Sequence, residues 1–253
     1  MTTKEGSFVW YELITGDPAA AEDFYAKVVG WTIVDSSITG VRYSLARVGE
    51  RPVAGLMGFP PDVPNPKPAW LAYILVDDVD AMTERVKQAG GAIYRAPDDI
   101  PRVGRFSVVA DPQGAVFMLF RGEGTPPPEL EPGTPGRPAW HELHTRDWEK
   151  AFAFYEGLFG WKKAEAMDMG PMGTYQIFAT EDLSVGGMLN NPEAPAPFWL
   201  YYFVVDDIDA AVERLTAAGA KLTNGPVQVP GDMWIINAID PQGAIFALVG
   251  PRK

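Results

Sequence analysis

The sequence predicts an α+β protein built from four βαβββ units, with helices on the outside of curved, mixed β-sheets. Two observations lead there. The chain repeats itself along almost its whole length. Within each repeat, helical periodicity is brief and amphipathic, whereas strand candidates are short, numerous and joined mostly by hairpin-type turns.

The repeat is read by offset. Trp10, Glu12, Leu13, Thr15, Asp17, Phe24, Tyr25, Gly30 and Trp31 return as Trp140, Glu142, Leu143, Thr145, Asp147, Phe154, Tyr155, Gly160 and Trp161. Val76-Asp77-Asp78 returns as Val205-Asp206-Asp207, and Asp111-Pro112-Gln113-Gly114-Ala115 as Asp240-Pro241-Gln242-Gly243-Ala244. Two copies of one domain are expected, at residues 6–121 and 138–250. Residues 122–137, rich in Pro, Gly and Glu, join them as an extended linker.

In the first copy, Phe8–Thr15 reads as a strand. Asp17 is a helix N-cap with Pro18 at the first helical position. Ala21, Phe24, Tyr25 and Val28 follow at helical spacing, and Gly30 suits the helix end. Strands are expected at 32–37, 41–48 and 52–59. Gly55 within the third marks a bulge or a close approach of another group. After a Pro-rich loop at 60–68, residues 70–76 form an apolar strand. Asp78 caps a helix that turns Val79, Met82, Val86 and Ala89 inward and ends at Gly90-Gly91. Strands at 92–95, 105–110 and 115–120 complete the copy, the last two joined by an Asp-Pro-Gln-Gly turn. The second copy repeats this order.

Composition narrows the function. Hydrophobic content of 47% and charged content of 21% are those of a globular protein, and there is no cysteine, so thiol chemistry and disulfides are out. A net charge of −12 disfavours nucleic acid and anionic membrane as partners. With no apolar run of spanning length and no secretory signal, a cytoplasmic location is expected. The glycine-rich spots match no phosphate-binding loop.

The order of motifs resembles the vicinal oxygen chelate superfamily, which includes glyoxalase I, bleomycin-resistance proteins and extradiol dioxygenases. These motifs are an Asp-capped helix ending Phe-Tyr…Gly-Trp, Val-Asp-Asp before a second helix, and Asp-Pro-x-Gly before a last strand. The resemblance covers both copies. It implies cupped sheets made of paired βαβββ units, with the active cavity in the cup. It also implies three metal-ligand positions per copy, usually His, Gln or Glu. Here they carry Trp10, Leu71 and Met118, and Trp140, Leu200 and Ala247. None offers a donor to a divalent ion. No metal site and no cofactor is therefore expected, and a divalent metal is disfavoured. A shift of one residue brings Tyr11 or His141 to the first position, but the last strands stay apolar.

Strand alternation places Trp140, Glu142 and His144 on one face, with His141 and Leu143 on the other. Glu142 and His144 are the candidate catalytic residues, an acid–base pair. Recurrence of the carboxylate as Glu12, beside Ile14 instead of a histidine, favours a structural role for it. Candidate ligand-binding residues are Trp10, Glu12, Tyr73, Trp140, Tyr202 and Trp234, a cup lining suited to a flat or apolar molecule, and Arg105 at the expected rim. The favoured reading is a binding protein of the bleomycin-resistance kind that takes a small aromatic or hydrophobic ligand. The alternative is a lyase, isomerase or hydroxylase-like enzyme using Glu142 and His144, and a third reading has cups filled by side chains. The second copy, with His144 and the smaller Ala247, is the one expected to function, in a monomer or homodimer.

Overall fold

A computed structural model describes residues 4–36, 42–61, 63–124 and 130–253. The first repeat runs β1 Phe8–Thr15, α1 Pro18–Val28, β2 Thr32–Asp35, β3 Tyr43–Val48, β4 Arg51–Gly58, β5 Ala69–Leu75, α2 Val79–Gln88, β6 Ala92–Ile100, β7 Gly104–Ala110 and β8 Val116–Gly122. The second runs β9 Pro138–Thr145, α3 Trp148–Phe159, β10 Lys162–Asp168, β11 Thr174–Thr180, β12 Leu183–Asn190, β13 Phe198–Val204, α4 Ile208–Ala217, β14 Lys221–Val229, β15 Met233–Ile239 and β16 Ile245–Gly250. The strands form two mixed eight-stranded sheets, in the orders β2-β3-β4-β1-β5-β8-β7-β6 and β10-β11-β12-β9-β13-β16-β15-β14. The α+β class and the four βαβββ units are as the repeat pattern predicts. None of the described helices is long and apolar enough to cross a membrane.

The helix starts are set locally. Asp17, Asp78 and Asp147 each accept a hydrogen bond from the backbone N–H three residues on, at 3.0–3.1 Å. Asp207 does the same for Asp209 and Ala210. Gly160 ends α3 in the left-handed conformation, φ 67°, which a side chain resists. Details differ from expectation at three places. Ala89 is the exposed C-cap of α2, while Thr83 takes the buried position. β6 continues through Pro97 to Ile100, since an edge strand with register shifts tolerates proline. β2 ends at Asp35, and residues 37 and 41 of the expected strands lie outside those described.

By contact density the chain forms two compact units, and neither coincides with a sequence repeat. One comprises the described parts of Met1–Val9, Leu71–Pro128 and Trp140–Leu200; the other comprises those of Trp10–Trp70, Glu129–Ala139 and Tyr201–Lys253. Each unit takes one βαβββ module from each repeat.

The same buried hydrogen-bond chain ties the two modules together inside each unit. In the first, Trp199 Nε1 donates to the Tyr155 hydroxyl at 3.1 Å, and that hydroxyl donates to Asp111 Oδ2 at 3.2 Å. Asp111 Oδ1 in turn accepts from Gln113 N and Ala115 N, closing the Asp-Pro-Gln-Gly turn. In the second unit, Trp70 Nε1, the Tyr25 hydroxyl and Asp240 Oδ2 repeat the arrangement at 2.8 and 3.0 Å. Burial pushes both aspartates above the usual carboxylate range, against the pull of these hydrogen bonds. Trp161 stacks on Tyr155, and Trp31 on Tyr25, so the repeated Phe-Tyr…Gly-Trp motif is the core of each unit.

Tyr155→Phe removes a partner from two buried groups at once, the Trp199 N–H and Oδ2 of Asp111. We expect a loss of about 2–4 kcal/mol in urea unfolding, the scale of buried polar groups left unpaired. A loss below about 0.5 kcal/mol, the level of an ordinary surface change, would show that the chain does not hold the unit together.

Candidate functional site

The repeated Trp-x-Glu of β1 and β9 has a structural cause that reaches across two strands. In the unit holding β9, Gly187 of β12 lies directly beside Glu142. A Cβ at Gly187 would collide with the Tyr175 ring. Its absence lets Tyr175 of β11 lie across β12 toward β9. There the Tyr175 hydroxyl accepts from Trp140 Nε1 at 2.8 Å and donates to Glu142 Oε2 at 2.9 Å. The other unit repeats this. Gly55 lies beside Glu12, Trp10 Nε1 donates to the Tyr43 hydroxyl at 3.1 Å, and that hydroxyl donates to Glu12 Oε2 at 3.0 Å. The close approach expected at Gly55 is therefore the tyrosine. Burial first, and the adjacent carboxylate second, push both hydroxyls above the ordinary tyrosine range.

The two units differ two residues beyond the glutamate. In one, the residue there is Ile14 of β1. In the other, His144 Nε2 lies 2.7 Å from Glu142 Oε1, and His144 Nδ1 lies 3.0 Å from Asn191 Nδ2. The Ala194 backbone N–H donates to Asn191 Oδ1 at 3.1 Å, and a backbone N–H can only donate. This fixes the Asn191 NH₂ toward Nδ1, which must accept. The proton of His144 is therefore assigned to Nε2, facing Glu142. The imidazole stacks on Phe198 with centroids 4.6 Å apart and planes 2° from parallel. Glu142 and His144 are each 8% exposed, while Trp140, Tyr175 and Phe198 are half-buried. His141 points the other way, stacked on Phe8 at 3.8 Å with Nδ1 against the Val185 carbonyl oxygen.

Among the sequence-predicted site residues, Trp140, Glu142 and His144 come together in one unit, and Trp10 with Glu12 in the other. Tyr73 packs edge-on to Phe120 at 5.6 Å and beside Phe106. Tyr202, 2% exposed, lies beside Ala247. Two candidates lie on the other face of their sheets. The first is Arg105. It follows Gly104 in β7 and points to the helix side of the sheet, where Nε and Nη2 bind Asp80 of α2 at 2.6 and 2.9 Å and Nη1 binds Asp99. Trp234 pairs in register with Gly250, one residue out of phase with Tyr202 and Ala247, so alternation puts it on the opposite face. There Arg252 covers its ring at 4.6 Å. Sequence reasoning missed Asn191, whose loop gives no periodic signal. It also left Tyr43 and Tyr175 unconnected to the glutamates.

Tandem βαβββ modules carrying this site define the class, and the chain belongs to the Glyoxalase/Bleomycin resistance protein/Dioxygenase superfamily, whose family model matches residues 7–119 and again 137–248. It is 34% identical to a Mycobacterium tuberculosis protein named "Putative glyoxylase CFP32", over 98% of this chain and 96% of that one. It is 33% identical to the anthracycline biosynthesis protein DauV of Streptomyces sp. strain C5, over 98% and 94%. The fold is also that of the Mn(II)-bound glyoxalase from Novosphingobium aromaticivorans, with TM-score 0.68, 16% identity, and 98% and 83% coverage. The strand positions that the superfamily resemblance marks for metal ligands hold Trp10, Leu71 and Met118, and Trp140, Leu200 and Ala247, which do not fit a divalent ion. No group of three or more His, Asp or Glu among the described residues is placed to hold one.

The glycine is testable through the tyrosine it admits. Gly187→Ala displaces the Tyr175 ring, so the alkaline absorbance titration of Tyr175 is expected to fall back toward pH 10. A raised native hydroxyl pKa contributes stability that is complete below the unfolded value of about 10 and is lost as pH climbs through the native value. Wild type should therefore lose more stability above pH 10 than the variant. Identical alkaline profiles would refute the placement of Tyr175.

Proposed function

We propose that this protein is a metal-independent binding member of the superfamily, taking a small, flat aromatic molecule against its second repeat. One observation carries the reading. Both oxygens of Glu142 and both ring nitrogens of His144 are already engaged by protein groups, so the polar chain works as a rigid support for aromatic rings. Trp140, Tyr175 and the Phe198–His144 stack are the surfaces it holds in place. Pre-set rings bind a flat ligand without losing side-chain freedom, and each aromatic pair adds about 0.5–1.5 kcal/mol beyond area burial. The kinship with DauV, named for anthracycline biosynthesis, supports a polycyclic aromatic ligand. A cytoplasmic place, independent of nucleic acid and membrane, accompanies the reading.

The competing enzyme reading has one specific observation in its favour, the 2.7 Å His144–Glu142 contact in a nearly buried setting. It needs His144 to exchange a proton at Nε2 while Asn191 holds Nδ1.

Two measurements separate these. Quenching of tryptophan fluorescence by 2-hydroxyanthraquinone is expected to saturate, and His144→Ile, copying Ile14, should weaken the affinity by about two- to tenfold, the worth of one aromatic pair. If the wild-type protein instead transforms the compound and the variant does not, the enzyme reading holds. Adding Mn²⁺, Ni²⁺ or Zn²⁺ should leave the melting temperature unchanged. Metal at 100 times its Kd adds about 2.7 kcal/mol, and the resulting rise of several degrees would overturn metal independence.

A further inference from the structure

The loop between β12 and β13, residues 191–197, supplies contacts to His144 from both of its ends. Asn191 at its start donates to Nδ1, and Phe198, directly after its end, stacks on the imidazole. The loop conformation therefore decides both contacts of the ring. Pro192, Pro195 and Pro197 have no N–H to donate, so few backbone bonds can fix the loop from within. One side chain grips it from outside. Arg146, two residues beyond His144, donates from Nη1 to the Asn191 and Pro192 carbonyl oxygens at 3.0 and 2.7 Å, and from Nη2 to the Ala194 carbonyl oxygen. A planar guanidinium offers several donors in a fixed fork, so it holds these carbonyls in one arrangement. All of these residues belong to one compact unit.

The first repeat shows what stands at the same places without an imidazole. Thr15 pairs with Gly58 as Thr145 pairs with Asn190, so the next residues match Gly16 with Arg146 and Phe59 with Asn191. Ile14 stands for His144, and the Phe59 ring lies over Gly16, 3.3 Å from where a Cβ would be. An apolar set, Ile14, Gly16 and Phe59, thus corresponds to a polar set, His144, Arg146 and Asn191. The sheet needs neither set in particular, since both repeats build the same strand order. What the polar set adds is an imidazole held in one orientation on the face of Trp140 and Glu142.

We propose that Arg146 is a positioning residue. By fixing the loop that carries Asn191 and leads into Phe198, it sets the orientation of the His144 ring that a flat ligand meets. The Arg146 side chain is exposed and acts through these two neighbours. Its link to ligand affinity rests on the proposed binding function, whereas its effect on His144 does not. Where the imidazole contributes about two- to tenfold to affinity, as one aromatic pair does, release of the loop removes a share of that same factor and no more.

Two readouts on the full-length protein test this, and the first needs no ligand. The chain has two histidines, so His144→Ile alone identifies the His144 signals in the imidazole nitrogen NMR spectrum. At about pH 8, Nδ1 of His144 is expected at the position of a ring nitrogen that accepts a hydrogen bond. In Arg146→Ala it should move downfield toward that of an unbonded ring nitrogen, as in Asn191→Ala. An unmoved signal in Arg146→Ala overturns the positioning role. The second readout is affinity for 2-hydroxyanthraquinone by tryptophan fluorescence. Arg146→Ala is expected to weaken it about two- to tenfold in the wild-type background and less than about twofold in the His144→Ile background. Equal weakening in both backgrounds would show a general structural role and overturn the proposal. Should Arg146→Ala not fold, Arg146→Lys provides the same comparisons, keeping the charge and losing the fork. If the wild-type protein does not bind the probe, the binding reading falls, and the imidazole spectrum alone decides whether Arg146 positions His144.

Discussion

A buried tyrosine hydroxyl joining a tryptophan to an aspartate is the interaction on which each compact unit depends. Tyr155 and Tyr25 each lie toward the end of a helix from one repeat, and their aspartates, Asp111 and Asp240, open a turn in the other. A hydroxyl that accepts one bond and donates another is fully satisfied, which permits burial at 0% exposure. The aspartates resist ionisation in these surroundings, an effect offset by backbone N–H groups of their own turns. Because each chain of bonds crosses between repeats, the repeats are interlocked module by module.

The second recurring constraint is the missing Cβ at Gly55 and Gly187. It allows a tyrosine to cross a neighbouring strand and hold the glutamate of the Trp-x-Glu motif. With this support present in both units, the carboxylate is first a structural group. In the unit holding β9, His144 and Asn191 carry the chain on toward a loop, and Asn191 fixes which imidazole nitrogen carries the proton. The repeats also differ in chemistry at matched strand positions. His144 replaces isoleucine, Ala247 replaces methionine, and Asn237 replaces valine.

Much of the fold was legible because its causes are local. Asp17, Asp78, Asp147 and Asp207 cap helices through bonds to residues two or three further on, and Gly114 and Gly243 meet positive φ in turns that the Asp-Pro-Gln-Gly motif announces. Alternation along a single strand correctly grouped Trp140, Glu142 and His144. It does not by itself place Arg105 or Trp234, because the face a residue shares with other strands depends on register. No spacing rule links Tyr175 to Glu142, 33 positions away, or Asn191 to His144.

The sequence by itself determined the duplication, the element order and the helix caps. These rest on residue identity and on neighbours a few positions apart. Only the tertiary structure decided which modules form a unit, which aromatic rings share a face with Glu142, and that Arg146 holds the loop carrying Asn191. Those outcomes arise from strand register and from side chains crossing neighbouring strands, and both are set by the packing of segments far apart in the chain.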